Sequence, residues 1–440
     1  MSIYINGGFT MNLNFNYRDL FIGLDTPVIL KNGLPVIPIN FDNGATTPPL
    51  KSVVDSIMNN VLTYGPVARG TGQKGDLCTE KFEGARYKIL EFFNLKDTTT
   101  HTVVYTKSTT ESLNLLANVL ITGKNDKILT TRMEHHANDL PWRNVATVEY
   151  VEVDELGRIN LQTIEDKLIE NKDEIKYVSI TGSSNVTGYI NPIHDIARLC
   201  HNHGAKIIVD AAQLVAHKKI DMKGKDSSEQ IDFLVFSGHK AYAPFGSGAI
   251  VGLTEDLSNV EPFLRGGGCV DTVSDSNIIW DEPPCLHEAG TQNFLGVMAM
   301  VSALEQLEKI TFDNIYKHEM EIKNYIINEM KQIKNVILYG DTDSTDDRLG
   351  VIVFNIENIP FDILAHKFAD DLGIALRCGK FCAHPYVNRL LGVSDMSAYV
   401  DSVDINLNNF GMVRLSLGLY NTIEEATVFI TALQYLAKGL

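Results

Sequence analysis

Short runs of β-branched and aromatic residues recur through the first part of the chain, at 102–106, 127–130, 147–151, 176–181, 206–210, 232–236 and 249–253. Between them, apolar residues fall at helical spacing over 80–93, 110–120, 161–169 and 193–203. Gly204 follows the last of these, where a glycine that ends a helix belongs. Runs such as Ile207-Ile208-Val209 are apolar at consecutive positions, so both faces of the strand need cover. This alternation predicts an α/β fold, a mostly parallel seven-stranded sheet covered by helices.

After about Asn293 the texture changes. Two long helical patterns, 295–307 and 314–331, lead to a shorter strand and helix set that closes over 422–437. That last helix opens with Thr422-Ile423-Glu424-Glu425, a capping-box spacing. The pattern predicts an N-terminal arm over 1–40, a large α/β domain over 41–293 and a smaller α+β domain over 294–440. A site is expected between the two domains.

Composition narrows the function classes. The 440 residues are 44% hydrophobic and 21% charged, enough for a normal core and against wholesale disorder. A net charge of −17 argues against nucleic acid as a partner. No apolar run reaches the ~18 residues of a membrane helix, and the first residues lack the basic and apolar regions of a signal peptide. Six scattered cysteines do not make a disulfide framework. The expectation is a soluble, cytoplasmic protein with reduced thiols.

Three motif readings fail. The stretch Gly70-Thr71-Gly72-Gln73-Lys74-Gly75 suggests a phosphate loop, but Asp76 stands where its lysine belongs. Arg265-Gly266-Gly267-Gly268 lacks the dinucleotide spacing. His135, His136, Cys378, Cys382 and His384 could be pooled as zinc ligands, yet the Cys-x3-Cys-x-His cluster has no second matching pair; no metal is expected.

One constellation succeeds. Ligands of open α/β sheets sit beyond the carboxyl ends of the strands. Here one such end carries Asp210 and another runs into Ser237-Gly238-His239-Lys240. A lysine and a carboxylate so placed are what pyridoxal 5′-phosphate (PLP) needs: the lysine for a Schiff base, the acid to keep the pyridine nitrogen protonated. An anonymous Asp–Lys pair at a sheet edge is more often a plain ion pair. The surroundings favour the cofactor: Ser237 and His239 flank the lysine as phosphate donors, and Ser108-Thr109-Thr110-Glu111 opens a helix, where free N–H groups bind an anion. Taken alone, Thr109 reads as an N-cap.

At this point the chain resembles class V, fold type I PLP enzymes, and within them the group II cysteine desulfurases and selenocysteine lyases. The resemblance runs from about Phe41 to the C-terminus. It is carried by Asp42-Asn43-Gly44-Ala45-Thr46-Thr47, Arg69-Gly70, Thr109-Thr110-Glu111, Glu134-His135-His136-Ala137-Asn138, Ser184-Asn185-Val186-Thr187-Gly188, Asp210-Ala211-Ala212-Gln213, Ser237-Gly238-His239-Lys240, Glu288-Ala289-Gly290-Thr291, Arg377-Cys378-Gly379-Lys380-Phe381-Cys382-Ala383 and Arg414. Any one of these is weak; their order is specific.

The resemblance implies roles. Lys240 would hold the cofactor and shuttle protons, Asp210 would pair with the ring nitrogen, and Gln213 would reach the ring 3′-oxygen. His135 would stack on the ring and act as acid or base, and Thr109, Thr110, Ser237 and His239 would hold the phosphate. Thr291 would reach the phosphate of a neighbouring subunit, which implies a homodimer. Asn185 and Arg414 would hold the substrate carboxylate, Arg414 through its bidentate fork, with Arg377 nearby. Cys382 would attack the sulfur of L-cysteine, or the selenium of selenocysteine, as a thiolate favoured by cations such as Arg377. L-Alanine and a persulfide for a sulfur-acceptor protein would result.

An aminotransferase, a carbon–sulfur lyase without a persulfide, or a scaffold that has lost catalysis are the alternatives. Ala68 and Gly72 around the Arg-Gly motif, Lys380 and Phe381 in the cysteine loop, and the long stretch from Tyr386 to Met412 depart from the family pattern. Cys378 carries no assigned role.

Overall fold

Seven strands form the central sheet: β1 (His101–Thr106), β2 (Lys127–Thr131), β3 (Thr147–Val151), β4 (Ile175–Thr181), β5 (Lys206–Asp210), β6 (Phe233–Ser237) and β7 (Gly248–Leu253). Their spatial order is β1-β7-β6-β5-β4-β2-β3. Strands β3, β2, β4, β5 and β6 run parallel, and β7 is antiparallel to both of its neighbours. The computed structural model describes residues 16–67, 72–96, 99–123, 126–394 and 410–438. Residues 1–15 of the expected arm, Ala68, Arg69 and Gly70, and the 395–409 part of the Tyr386–Met412 stretch lie outside them.

The consecutive apolar residues of these strands divide between two cores, as the two-residue strand period requires. Ile207, Val209, Leu234, Phe236 and Val251 enter the larger core, whereas Ile208, Phe233, Val235 and Ile250 face the opposite layer around Trp142. Each such side chain contributes roughly 1.5–3 kcal/mol by leaving water. The helix Ile193–Asn202 ends as its sequence foretells, with Gly204 at φ +74° just beyond it.

A second sheet is built from Val336–Tyr339, Val351–Ile356, Met412–Ser416 and Arg377–Gly379, in that order and antiparallel throughout. It packs a separate core around Phe354, Phe368 and Phe429, capped by the helix Ile423–Leu436 with a complete Thr422–Glu425 capping box. Two features differ from the sequence pattern. The helix Phe294–Ile310 lies past the expected break at 294, yet it buries Val297, Met300 and Leu304 in the larger core. Its nearly all-round apolarity suits burial between layers rather than a domain start. The helix expected over 80–93 begins earlier, at Gln73, because the polar first turns carry little apolar signal.

The arm packs against both cores: Phe21 lies in the larger one, with Tyr17, Leu20 and Leu24 against it. Ile39–Asn40 pairs in parallel with Ile374–Ala375, and Arg18 reaches Glu425 at 2.5 Å. Phe41 is fully buried in the small core, and Asp42 then crosses to the cleft between the two sheets.

Candidate active site

The carboxyl ends of β5 and β6 lie side by side, with Asp210 paired in register to Val235. Beyond Ser237 the chain turns through a short 3-10 helix, Gly238–Lys240, which aims the lysine back across the sheet edge. Asp210, Gln213, Ser237, His239 and Lys240 line one cavity of about 520 Å³, within the usual range for small-molecule sites. The other wall comes from the small sheet and its loop: Arg377, Phe381, Cys382 and Arg414. Thr109, Thr110, His135 and Asn185 complete it.

Electrostatics divide the site. Burial holds the Asp210 carboxyl above the usual carboxylate range, although the Ala212 N–H donates to it at 2.9 Å and Lys240 favours its charge. Burial likewise pushes the Lys240 amine down to about 8, partly offset by Asp210. The Lys240 amine makes no hydrogen bond among the described residues. A plain surface ion pair would show neither property, so the ordinary reading of this pair is not what the fold builds.

At the other end a helix begins beside the Ser237 turn. Ser108, rather than Thr109, caps the helix Thr109–Leu120, accepting from the Glu111 N–H. The N-cap reading of Thr109 is therefore corrected: the shorter extended residue before it takes that role. Thr109 occupies the first helical position, and its N–H donates to Ser237 Oγ at 2.7 Å, with the two hydroxyls 2.8 Å apart. Gly248 permits this approach, since a Cβ there would meet the Phe236 carbonyl at 2.7 Å and Ser108 Cα at 3.0 Å. His239 Nδ1 lies 3.2 Å from Thr46 Oγ1.

His135 Nδ1 accepts the Ala137 N–H at 3.0 Å. Burial, with Lys240 nearby, drives the His135 pKa down to about 3, so the neutral ring carries its proton on Nε2. A network that carries no role in the sequence reading holds this turn. Glu134 accepts from Thr131 Oγ1 and Asn138 Nδ2, both at 2.6 Å, and Asn138 Oδ1 accepts from Trp142 and Ser179. The Glu-x3-Asn spacing is its only sequence signal.

The small-sheet side is a cluster of cations around one acid. Arg414 donates to the Asn185 carbonyl at 2.9 Å and to Asp42 at 3.1 Å, while Arg377 lies 3.4 Å from the other Asp42 oxygen. Arg414 is buried, and its Nε has no hydrogen-bond partner. It is not a rim salt bridge. Gly44 makes room for it: a Cβ there would stand 3.2 Å from the guanidinium carbon. Gln213 Nε2 donates to the Gly44 carbonyl at 2.7 Å.

Cys382 is exposed and lines the same cavity as Lys240. Cys378 also lines this cavity but is half-buried against the small core, and burial raises its thiol pKa. Thr291 is the site candidate that the fold keeps apart. It is exposed and lines a separate cleft with Arg86, Gly267 and Glu288.

The donor set fits PLP: a buried carboxylate for the ring nitrogen, an amine with a lowered pKa, and hydroxyls with a helix start for the phosphate. That set defines an α/β enzyme of the PLP class. The chain belongs to the aminotransferase class-V family, whose profile matches residues 39–429 and whose members use PLP. It is 34% identical to a probable cysteine desulfurase of Halalkalibacterium halodurans over 96% of each chain. It is 33% identical to a cysteine desulfurase of Escherichia coli (strain IAI1) over 94% of this chain and 97% of that one. The apo structure of a cysteine desulfurase from Thermococcus onnurineus NA1 superposes with a TM-score of 0.81 at 30% identity, covering 92% of this chain and 95% of that one. No helix among the described residues is long and apolar enough to cross a membrane.

Proposed function

We propose that this chain is a PLP-dependent cysteine desulfurase that converts L-cysteine to L-alanine and carries the sulfur as a persulfide on Cys382. The observation that carries this reading is that the cavity lined by Lys240 and Asp210 is also lined by an exposed cysteine. When bound, PLP draws electron density from the substrate and weakens the bond from Cβ to sulfur.

The remaining work falls to the chain itself. Asp210 would hold the proton at the cofactor nitrogen, and Thr109, Thr110, Ser237 and His239 would hold the phosphate. Gln213 would serve the ring oxygen. Asn185 Nδ2 and Arg414 take the substrate carboxylate; Arg414 is held ready by Asp42, and Arg377 adds positive charge at the rim. Lys240 moves protons, because a lysine titrating near 8 can both hold and release one around neutral pH. His135 acts as a donor through Nε2. The Cys382 thiolate forms an S–S bond with the substrate sulfur as the C–S bond breaks, its electron pair staying with carbon and the carbon taking a proton.

The persulfide then passes to a sulfur-acceptor protein. Thr291 completes the phosphate site of a second copy in a homodimer, and the protein works in the cytoplasm. Assay of L-alanine from L-cysteine, with wild type and Cys382→Ser, tests the reading. Loss of L-alanine in the variant supports it. Full turnover with free sulfide would favour a lyase that needs no persulfide, and pyruvate-dependent amino transfer would favour an aminotransferase.

A further inference from the structure

Phe381 lies across both groups proposed to receive the substrate carboxylate. Its carbonyl accepts from Asn185 Nδ2 at 2.8 Å, and the Arg414 guanidinium sits 5.1 Å from the centre of its ring. The neighbouring Cys382 carbonyl accepts the His136 N–H at 2.6 Å. Phe381 and Cys382 both adopt left-handed backbone, with φ of 51° and 54°. Residues with a Cβ avoid this region, a bulky aromatic most of all, and they remain there only where surrounding contacts hold them. Here those holds come from Asn185 and His136 across the cleft, and from Arg414 on the same wall beneath the Phe381 ring.

An amino-acid carboxylate and Phe381 therefore compete for the same donors. The carboxylate brings full charge and a shape that matches the guanidinium fork, whereas Phe381 offers a neutral carbonyl and a ring face. Charge-assisted bonds of the first kind are about twice as strong as neutral ones, so the carboxylate wins. The buried Arg414 Nε, which has no partner, is a further donor for it.

We infer that Phe381 is a positioning residue: it occupies the carboxylate subsite until an amino acid arrives, and its displacement frees the strained Phe381–Cys382 pair so that the thiol can reach the substrate sulfur. This rests on the reading of Asn185 and Arg414 given above. The thiol is thereby released only when an amino acid fills the carboxylate subsite, and the bulk of residue 381 sets how tightly the two events are coupled.

The test uses the PLP-loaded enzyme and L-alanine, a carboxylate ligand without sulfur. Its binding is followed by the absorbance of the cofactor, and the rate of iodoacetamide labelling at Cys382 is read by mass analysis of that peptide. Saturating L-alanine is expected to raise the Cys382 labelling rate severalfold in the wild type. Phe381→Ala should label fast without ligand and show no further rise, while Phe381→Tyr, which keeps the ring, should retain the ligand response. Bound L-alanine that leaves the labelling rate unchanged, or slows it, overturns the inference and leaves the carboxylate reading standing. L-Alanine that produces no absorbance change at any concentration overturns that reading and the inference with it.

Discussion

The two walls of the cavity are built on opposite principles. The large-sheet wall sets Asp210, Ser237 and Lys240 at the ends of strands that are buried on both faces, where side-chain positions are fixed by packing. The small-sheet wall carries Cys382 just past the edge strand Arg377–Gly379, in backbone held by contacts reaching across the cleft. A rigid wall suits groups that must keep a fixed relation to one ring. A strained one suits the role proposed for Cys382, a nucleophile that travels between substrate and acceptor.

Substitutions separate the two walls. The largest loss is expected from Lys240→Ala, about a thousandfold or more in turnover, since it removes both the attachment point and the proton carrier. Cys382→Ser should lose L-alanine formation to a similar extent yet still show the absorbance change on adding L-cysteine. The fixed wall would then be working while the moving one is not. If both variants lose the spectral response, the walls are not independent.

The rigid wall also predicts a pH dependence. Lys240 is lowered from 10.5 to about 8, so the neutral, nucleophilic amine dominates only above that pH. Recombination of apo-enzyme with PLP should therefore speed up by roughly tenfold per unit as pH rises toward 8, then level off. A rate still climbing steeply past pH 9 would mean that burial does not perturb this lysine.

On the other wall, Arg414→Lys replaces a fork with a point charge. At about 1.5–3 kcal/mol for a hydrogen bond to a charged group, KM for L-cysteine should rise about tenfold to a hundredfold, with a smaller change in kcat. The smallest effect belongs to a residue outside the comparison. Thr422→Ala removes one half of the capping box and should cost ~1 kcal/mol in denaturant unfolding while kcat stays unchanged.

The same division explains what could be read in the chain. Asp210 and the Ser237–Lys240 turn are legible because each ends an apolar run, and strand ends are where open α/β sheets hold ligands. The order of the short motifs extends this to the family. The contacts that set the other wall are not legible, because they join distant positions. Asp42 bridges Arg377 and Arg414, and Asn185 holds Phe381, with nothing local to mark either pairing. The left-handed pair is hidden for another reason: Phe and Cys are residues from which one expects the opposite, so only the folded surroundings reveal it. The helix Phe294–Ile310 shows the limit of periodicity, since burial on nearly every side erases the pattern that would assign it to a layer.

The most direct measurement is mass analysis of the Cys382 peptide after the enzyme has been mixed with L-cysteine and quenched before any acceptor is added. One added sulfur atom on Cys382, removable by reductant and formed together with L-alanine, is the predicted result. L-Alanine accumulating over many turnovers while Cys382 stays unmodified, or the extra sulfur residing on Cys378 instead, would contradict it.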